Sequence, residues 1–285
     1  MKTLHLAVTA ALALAVGGCS SPSADVALAM ADAIVPAVHA STMSASVRSR
    51  AVTQPLLQAD PVAAQLAGLQ AIAPKADPGV LALALEAREC AVDNGDVEAD
   101  SRLAVIDYSR PSTERRMWVF DMADAAAPKL LYNEYVAHGQ GSGGNVPTRF
   151  SNEDGTHATS IGLFRTAETY YGGNGYSLRM DGMDPGFNDN ARRRAIVIHG
   201  ADYVNPAIFA SLGRNGRSWG CPALRQAVAR DMIDVLKEGN LVFSYADNDK
   251  WLAKAQSFSC DGRSARQILA AARTPDNSNL FAAAP

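Results

Sequence analysis

The stretch Gly216-Arg217-Ser218-Trp219-Gly220-Cys221-Pro222 constrains this chain most, because it lies between two segments of opposite periodicity. Upstream, Arg194-Ala195-Ile196-Val197-Ile198 reads as a buried strand that ends in His199-Gly200. Downstream, Leu224, Val228, Met232, Val235 and Leu236 recur at helical spacing until Gly239. Proline is favoured at the first helical position, since its missing N–H has no partner there anyway. The pattern therefore predicts strand, loop and helix, with Cys221 at the helix N-cap. Unpaired amides and the positive end of the helix dipole favour a thiolate at that position. Gly220 lets the backbone approach a substrate closely, and the amides around Cys221 suit a developing oxyanion. With His199 delivered to the sheet edge facing the thiol, the arrangement is a Cys/His nucleophile pair. A lone cysteine is often only a small buried apolar residue. The glycine, serine, arginine and proline gathered around Cys221 argue for chemistry instead.

The rest of the chain reads mainly as strands. Leu103–Tyr108 and Arg116–Met122 alternate around a Pro-Ser-Thr-Glu turn, as a hairpin does. Leu130–Val136 is a third strand, running into the glycine-rich turn that begins His138-Gly139. Ser160–Phe164 continues the sheet, Tyr170–Asn190 reads as hairpin loops walling a groove, and Asn240–Ala246 as a closing strand. Asn205-Pro206 caps a short helix ending near Gly213, and helices are expected over Ala24–Ala33, Pro61–Ala71 and Gly79–Cys90. The expected fold is mainly β, an antiparallel sandwich or curled barrel with a few helices. No repeats occur, and the glycine-rich pieces lack the strand–loop–helix context of a phosphate loop.

These blocks resemble the YkuD-type L,D-transpeptidases, in particular the branch known as the murein L,D-transpeptidase catalytic domain family. The resemblance rests on His199-Gly200, on the Ser218–Cys221 loop, and on Leu103–Ser109, Pro111–Glu114, Trp118–Asp121, Val136–Gly139 and Gly186–Ala191. It spans roughly residues 85 to 260 and implies a YkuD-like fold acting on peptidoglycan stem peptides. By that pattern Cys221 is the nucleophile, His199 the general base and Ser218 a supporting loop residue. A backbone carbonyl is the family's usual partner for the histidine. The wider family places a second histidine two residues before the cysteine, where this chain has Trp219, and an arginine two residues after it, where this chain has Ala223. Arg217 or Arg225 is then expected to meet a substrate carboxylate, and Trp219 to be a packing wedge under Gly220. His138 and Gly200 join Arg217 and Trp219 as candidate substrate-binding residues, with a surface turn as the alternative for His138. Acylation by carbapenems is a further implication, and no cofactor or metal is implied.

Residues 1–18 read as a signal peptide: Lys2 is followed by an apolar run, Leu6–Val16, shorter than the ~20 residues needed to span a bilayer. Val16-Gly17-Gly18-Cys19 resembles a lipobox, making Cys19 a lipidated first residue. Ser20 then directs the lipoprotein to the outer membrane, with ordinary cleavage nearby or at Val38-His39-Ala40 as the alternative. Residues 19–60 form an Ala/Ser-rich tether, 61–260 the catalytic domain and 261–285 a C-terminal tail. With Cys19 and Cys221 assigned, Cys90 and Cys260 remain at the two ends of the matched region. In an oxidising compartment they read as a disulfide, with two buried free thiols as the alternative.

Twenty-six basic and twenty-nine acidic residues, interspersed, give a formal charge of -3 and no footprint for nucleic acid. Four readings therefore stand side by side. The first is an L,D-transpeptidase that forms a cysteine acyl-enzyme on stems cut after meso-diaminopimelate. The second is a carboxypeptidase or endopeptidase with the same site. The third is a silent wall-binding lipoprotein, and the fourth a metal hydrolase using His138, His157 and His199, which leaves the Cys221 loop unexplained.

Overall fold

The computed structural model describes residues 61–274. The signal peptide, the tether with Cys19, the expected helix at Ala24–Ala33 and the alternative cleavage site lie outside the described residues. Two helices come first, α1 (Pro61–Ile72) and α2 (Pro78–Asp93), then strands β1 (Leu103–Asp107), β2 (Met117–Asp121), β3 (Lys129–Glu134), β4 (Val136–Ala137), β5 (Gly162–Gly172), β6 (Gly175–Gly182) and β7 (Val197–Ala201). The short α3 (Phe209–Leu212), β8 (Ala223–Arg225), α4 (Gln226–Leu236), β9 (Leu241–Tyr245), α5 (Asp249–Lys254) and α6 (Ala265–Arg273) follow within the described residues.

All nine strands belong to one mixed sheet in the order β3-β2-β1-β9-β5-β6-β7-β8-β4. Its two end strands are consecutive in sequence, since only Tyr135 separates Glu134 of β3 from Val136 of β4. Two Cα steps span at most about 7 Å, so the sheet curls until its edges nearly meet, as in a barrel. The seam is fastened by side chains. Arg225, at the end of β8, donates from Nε (2.9 Å) and Nη2 (2.6 Å) to the carboxylate of Glu134 on β3. Arg116, just before β2, donates from Nε (3.2 Å) and Nη2 (3.0 Å) to the carbonyl of Val136 on β4.

The expected curled β architecture is present as one sheet, with parallel pairs β1–β9 and β7–β8 among otherwise antiparallel neighbours. The strand expected to close the sheet, β9, lies in its middle, between β1 and β5. All five of its residues are buried, as suits a strand covered on both faces. The Tyr170–Asn190 segment is mostly one long hairpin, β5–β6, whose turn holds Gly175 in the left-handed region (φ +74°). Beyond it, buried Asp184 accepts from the Leu163 amide (3.0 Å) and from Trp251 Nε1 (3.3 Å), tying the segment to β5 and α5.

Helix α2 is buried along nearly its whole length and packs on α1, α6, β1 and β9. Its start is capped by Asp77, which accepts from the Val80 amide at 3.0 Å. Helix α6 lies in the segment expected to be a tail, yet it buries Ala265, Ile268, Leu269 and Ala272 and packs against α2. Cys90 on α2 and Cys260 ahead of α6 form a disulfide with Cα atoms 5.7 Å apart, a sequence separation of 170. Among the described residues no helix is long and apolar enough to cross a membrane.

Closing so long a loop restricts the unfolded chain, a contribution of up to about 5 kcal/mol in the chain-entropy picture. Replacing both Cys90 and Cys260 by Ser is expected to lower the thermal midpoint in non-reducing buffer and to abolish its sensitivity to reductant. Scanning calorimetry with and without dithiothreitol checks this, and an unchanged midpoint would show that packing of α2 and α6 alone sets stability there.

Candidate active site

Cys221 and His199 share a cavity of about 280 Å³ with Asn174, Tyr203, Arg217, Ser218 and Trp219. A larger depression of about 550 Å³, lined by residues such as Asp96, Glu98, Asp121 and Arg165, holds neither cysteine nor histidine. The sheet brings the pair together. His199 on β7 is in register with Ala223 on β8, two residues after Cys221.

The sequence placed Cys221 at a helix N-cap, and the structure corrects this. Ala223–Arg225 forms β8 before α4 begins at Gln226, so the loop feeds a strand and no helix dipole reaches the sulfur. The apolar periodicity after Pro222 belongs to α4, whose buried face is Ala229, Met232, Ile233 and Leu236. Sγ lies instead in a backbone cradle from residues 195–197. The Val197 amide donates to it at 3.5 Å, and the thiol donates to the Ala195 carbonyl at 3.6 Å. Ala195 takes a left-handed φ of +52° in this turn, a strained conformation of the kind that clusters at functional sites. Burial pushes the thiol above its ordinary pKa, while the Val197 amide and the Arg194 guanidinium pull the other way. The resting form is a thiol.

His199 is 3% exposed, and its Nδ1 is 2.9 Å from the Gly200 carbonyl. A carbonyl can only accept, so Nδ1 carries the proton and Nε2 keeps its lone pair. Burial lowers the imidazole pKa, only partly offset by the Gly200 hydrogen bond. His199 is therefore neutral at neutral pH and ready to act as a base.

The Cys221 loop is braced from within and from outside. Ser218 Oγ donates to the Cys221 carbonyl at 2.6 Å and accepts from the Gly220 amide at 3.1 Å. Thr159 Oγ1 donates to the Gly220 carbonyl (3.2 Å) and accepts from the Gly139 amide (2.8 Å), while the Ser218 amide donates to the His138 carbonyl (3.0 Å). Gly220 has φ +121°, and a Cβ there would come 2.9 Å from Ile196 Cδ1. A Cβ on Gly139 would sit 2.7 Å from Gly220 Cα. Two of the loop's amides are thus committed to loop structure. Those of Trp219 and Cys221 have no carbonyl or side-chain oxygen partner among the described residues. Thr159, Gly139 and Arg194 carried no sequence signal for this role, because each acts across a long chain separation.

The remaining candidates are redistributed. His138 is fully buried and outside the cavity, so it neither orients substrate nor sits on a surface turn. Its Nδ1 accepts from Arg116 Nη2 at 2.8 Å, and burial together with that cation lowers its pKa to about 3. Gly200 packs the strand on α4, where a Cβ would meet Gln226 Oε1 at 2.5 Å and Ala229 Cβ at 2.8 Å. Arg225 is engaged by Glu134 and is not available to a substrate carboxylate. Arg217 lines the cavity and donates from Nη1 to the Gly143 carbonyl at 2.6 Å. Trp219 is no wedge: it is 71% exposed, and its ring stacks on His157 with centroids 4.8 Å apart and planes 6° apart. His138, His157 and His199 thus have three separate environments. Among the described residues no group of three or more His, Cys, Asp and Glu could hold a metal ion.

A buried thiol beside a neutral imidazole should be alkylated by iodoacetamide at a rate that keeps climbing from about pH 6 to about pH 9. A plateau beginning near the lower end would instead mark a preformed thiolate–imidazolium pair. Ser218→Ala removes both internal bonds of the loop. It is expected to slow acylation of Cys221 by about tenfold or more, with only a modest fall in thermal midpoint, since each of the two lost hydrogen bonds contributes about 1 kcal/mol. Equal losses in a surface-serine control would count against this.

The L,D-transpeptidase catalytic domain model, YkuD_2, matches residues 72–245. No curated protein matches significantly. Among solved structures, the chain is similar to an L,D-transpeptidase from Mycobacterium smegmatis at 15% identity and a TM-score of 0.31, covering 51% of this chain and 59% of that one. It is also similar to the helical cell shape determining protein Pgp2 from Campylobacter jejuni, at 12% identity and a TM-score of 0.37, covering 66% and 60%. A third similarity is to residues 123–326 of an L,D-transpeptidase from Xylanimonas cellulosilytica, at 16% identity and a TM-score of 0.29, covering 55% and 68%. The family match extends over more than half of the chain and includes both His199 and Cys221, and the chain belongs to the L,D-transpeptidase catalytic domain family.

Proposed function

We propose that this protein is a peptidoglycan L,D-transpeptidase that works through a thioester on Cys221. The observation that carries the reading is the pairing, in one cavity, of the Cys221 thiol with a neutral His199 whose Nδ1 is anchored on the Gly200 carbonyl. His199 Nε2 takes the thiol proton as the sulfur attacks the meso-diaminopimelate carbonyl carbon of the peptide bond to the terminal residue of a donor stem. The negative charge moves to the carbonyl oxygen, where the Trp219 and Cys221 amides are the available donors. Losing one such donor typically costs about 3 kcal/mol of barrier. Collapse breaks the C–N bond, and the imidazolium returns its proton to the departing amine of the terminal residue. An acceptor amine then attacks the thioester, giving its proton to His199 and expelling the sulfur, which leaves a new amide and a regenerated thiol.

The thiol begins protonated, so proton removal by His199 belongs to the acylation step. We also propose that Cys19 carries a lipid that holds the domain at the periplasmic face of the outer membrane, on the lipobox-like Val16–Cys19 alone.

Incubating the mature protein with purified sacculi and separating the released muropeptides tests the reading. New crosslinks that start from meso-diaminopimelate are expected from the wild type, and none from Cys221→Ala with an unchanged circular dichroism spectrum. Trimmed stems without crosslinks would make the protein a hydrolase with the same acyl-enzyme. Wild-type turnover by Cys221→Ala would remove the mechanism altogether. A carbapenem adduct, mapped by mass spectrometry, is expected on Cys221 alone.

A further inference from the structure

The thioester proposed above can be resolved by an amine or by water, and the walls of the Cys221 cavity bear on that choice. Among the described residues no carboxylate lines it. Arg217 does, and Arg194 acts electrostatically on the Cys221 sulfur, so the local field favours an anion. The surface that attracts a cation is aromatic, the indole of Trp219 with the ring of Tyr203 nearby.

Both features are held in place. Trp219 keeps 71% of its surface exposed, while one face rests flat on His157. His157 is itself fixed: its Nδ1 lies 3.0 Å from Gln140 Nε2, its carbonyl accepts from the Gly141 amide at 2.9 Å, and its φ is +51°. Spending a left-handed histidine to support a solvent-facing indole is backbone strain of the kind retained at ligand clamps. Arg217 is tethered through Nη1 to the carbonyls of Gly143 (2.6 Å) and Gln140 (3.5 Å). Its Nε and Nη2 donate to no protein acceptor among the described residues, which leaves one edge of the fork for a ligand.

A guanidinium edge and an open indole face, two residues apart on the nucleophile loop, match one small chemical group: a carbon bearing both a carboxylate and an ammonium. We propose that Arg217 and Trp219 form an acceptor subsite for the α-amino-acid head of the incoming amine and so set the ratio of aminolysis to hydrolysis. This rests on the reading of Cys221 as the acylated nucleophile. The carboxylate lies on the free edge of Arg217, and the nitrogen lies over Trp219 until it attacks. The ammonium first releases one proton to water, which frees the lone pair; as the N–C bond forms and the C–S bond breaks, a second proton passes from the nitrogen to His199 Nε2 and then to the departing sulfur. Holding the amine against the thioester raises its effective concentration relative to water.

The test uses the full chain, a stem tetrapeptide as donor, and two acceptors, D-methionine and its decarboxylated amine, with products quantified by mass spectrometry. The readout is the ratio of amide to hydrolysed product, which does not depend on how fast the thioester forms. Wild type is expected to favour D-methionine over the amine by about tenfold or more, and Arg217→Gln to erase that preference. Trp219→Ala is expected to lower the ratio for D-methionine by about tenfold, and Trp219→Phe to keep most of it. Equal use of the two acceptors by the wild type, or ratios unchanged in Arg217→Gln and Trp219→Ala, would overturn the subsite while leaving the acyl-enzyme intact. A donor that never acylates wild-type Cys221 would overturn the underlying mechanism first, a result that intact-protein mass spectrometry separates from the others.

Discussion

The loop that carries Cys221 is held by a guanidinium that never reaches water. Arg116 is fully buried where the sheet curls back on itself, and its donors go to the carbonyls of Val136 and Arg110 and to His138 Nδ1. Burial lowers its pKa to about 10, which still leaves it charged at neutral pH. Asp107 and Glu114 act on it only at a distance, and a buried cation with no carboxylate hydrogen-bonded to it is tolerable only when its donors are satisfied. Here carbonyls and the face of Tyr108, 5.0 Å from the guanidinium carbon, surround it. Because Val136 opens the short edge strand β4 and His138 follows it, the same cation that closes the sheet fixes the segment against which the Cys221 loop is hydrogen-bonded.

The consequences reach the reacting atoms. His138 lends the site its carbonyl and not its ring: the Ser218 amide bonds to it, while the ring serves Arg116. Gly139 approaches Gly220 too closely for any side chain, and Thr159 bridges the two segments. The sulfur and the imidazole are then placed by backbone alone, through Ala195, Val197 and Gly200. Fixed dipoles of this sort need no reorganisation as charge develops. Among the described residues no carboxylate lines the cavity, whose charged side chain is Arg217.

The chain spans about 59% of the length of the Mycobacterium smegmatis L,D-transpeptidase it resembles. A helical layer covers part of the sheet. Helix α2 is buried on nearly all sides, with α6 packed against it and the Cys90–Cys260 disulfide joining the two ends of the domain. That layer lies against β1 and β9, the interior of the sheet, and stabilises the scaffold without entering the cavity.

The sequence by itself determined the local elements and the candidate Cys/His pair. The β1–β2 hairpin, helices α1 and α2 and Cys221 in a glycine-flanked loop follow from periodicity and turn chemistry, which act over a few residues. His199, expected to end a strand over Arg194–Ile198, stands instead at the centre of β7, because the chain turns through Ala195 and pairs on to Ala201. What only the tertiary structure decided depends on contacts between distant segments. Whether the residues after Pro222 begin as helix or strand was settled by β4 and β7 flanking Ala223–Arg225, a pairing no local propensity encodes. Whether His138 faced substrate or core was settled by Arg116, twenty-two residues earlier in the chain. Whether Trp219 was a wedge or a platform was settled by His157, which reaches it only after the sheet has curled. Whether Cys221 rests as thiolate or thiol was settled by burial without a helix dipole. Chemistry-bearing residue types can be read from local pattern, but their protonation and orientation are properties of the field and the packing that the closed sheet creates.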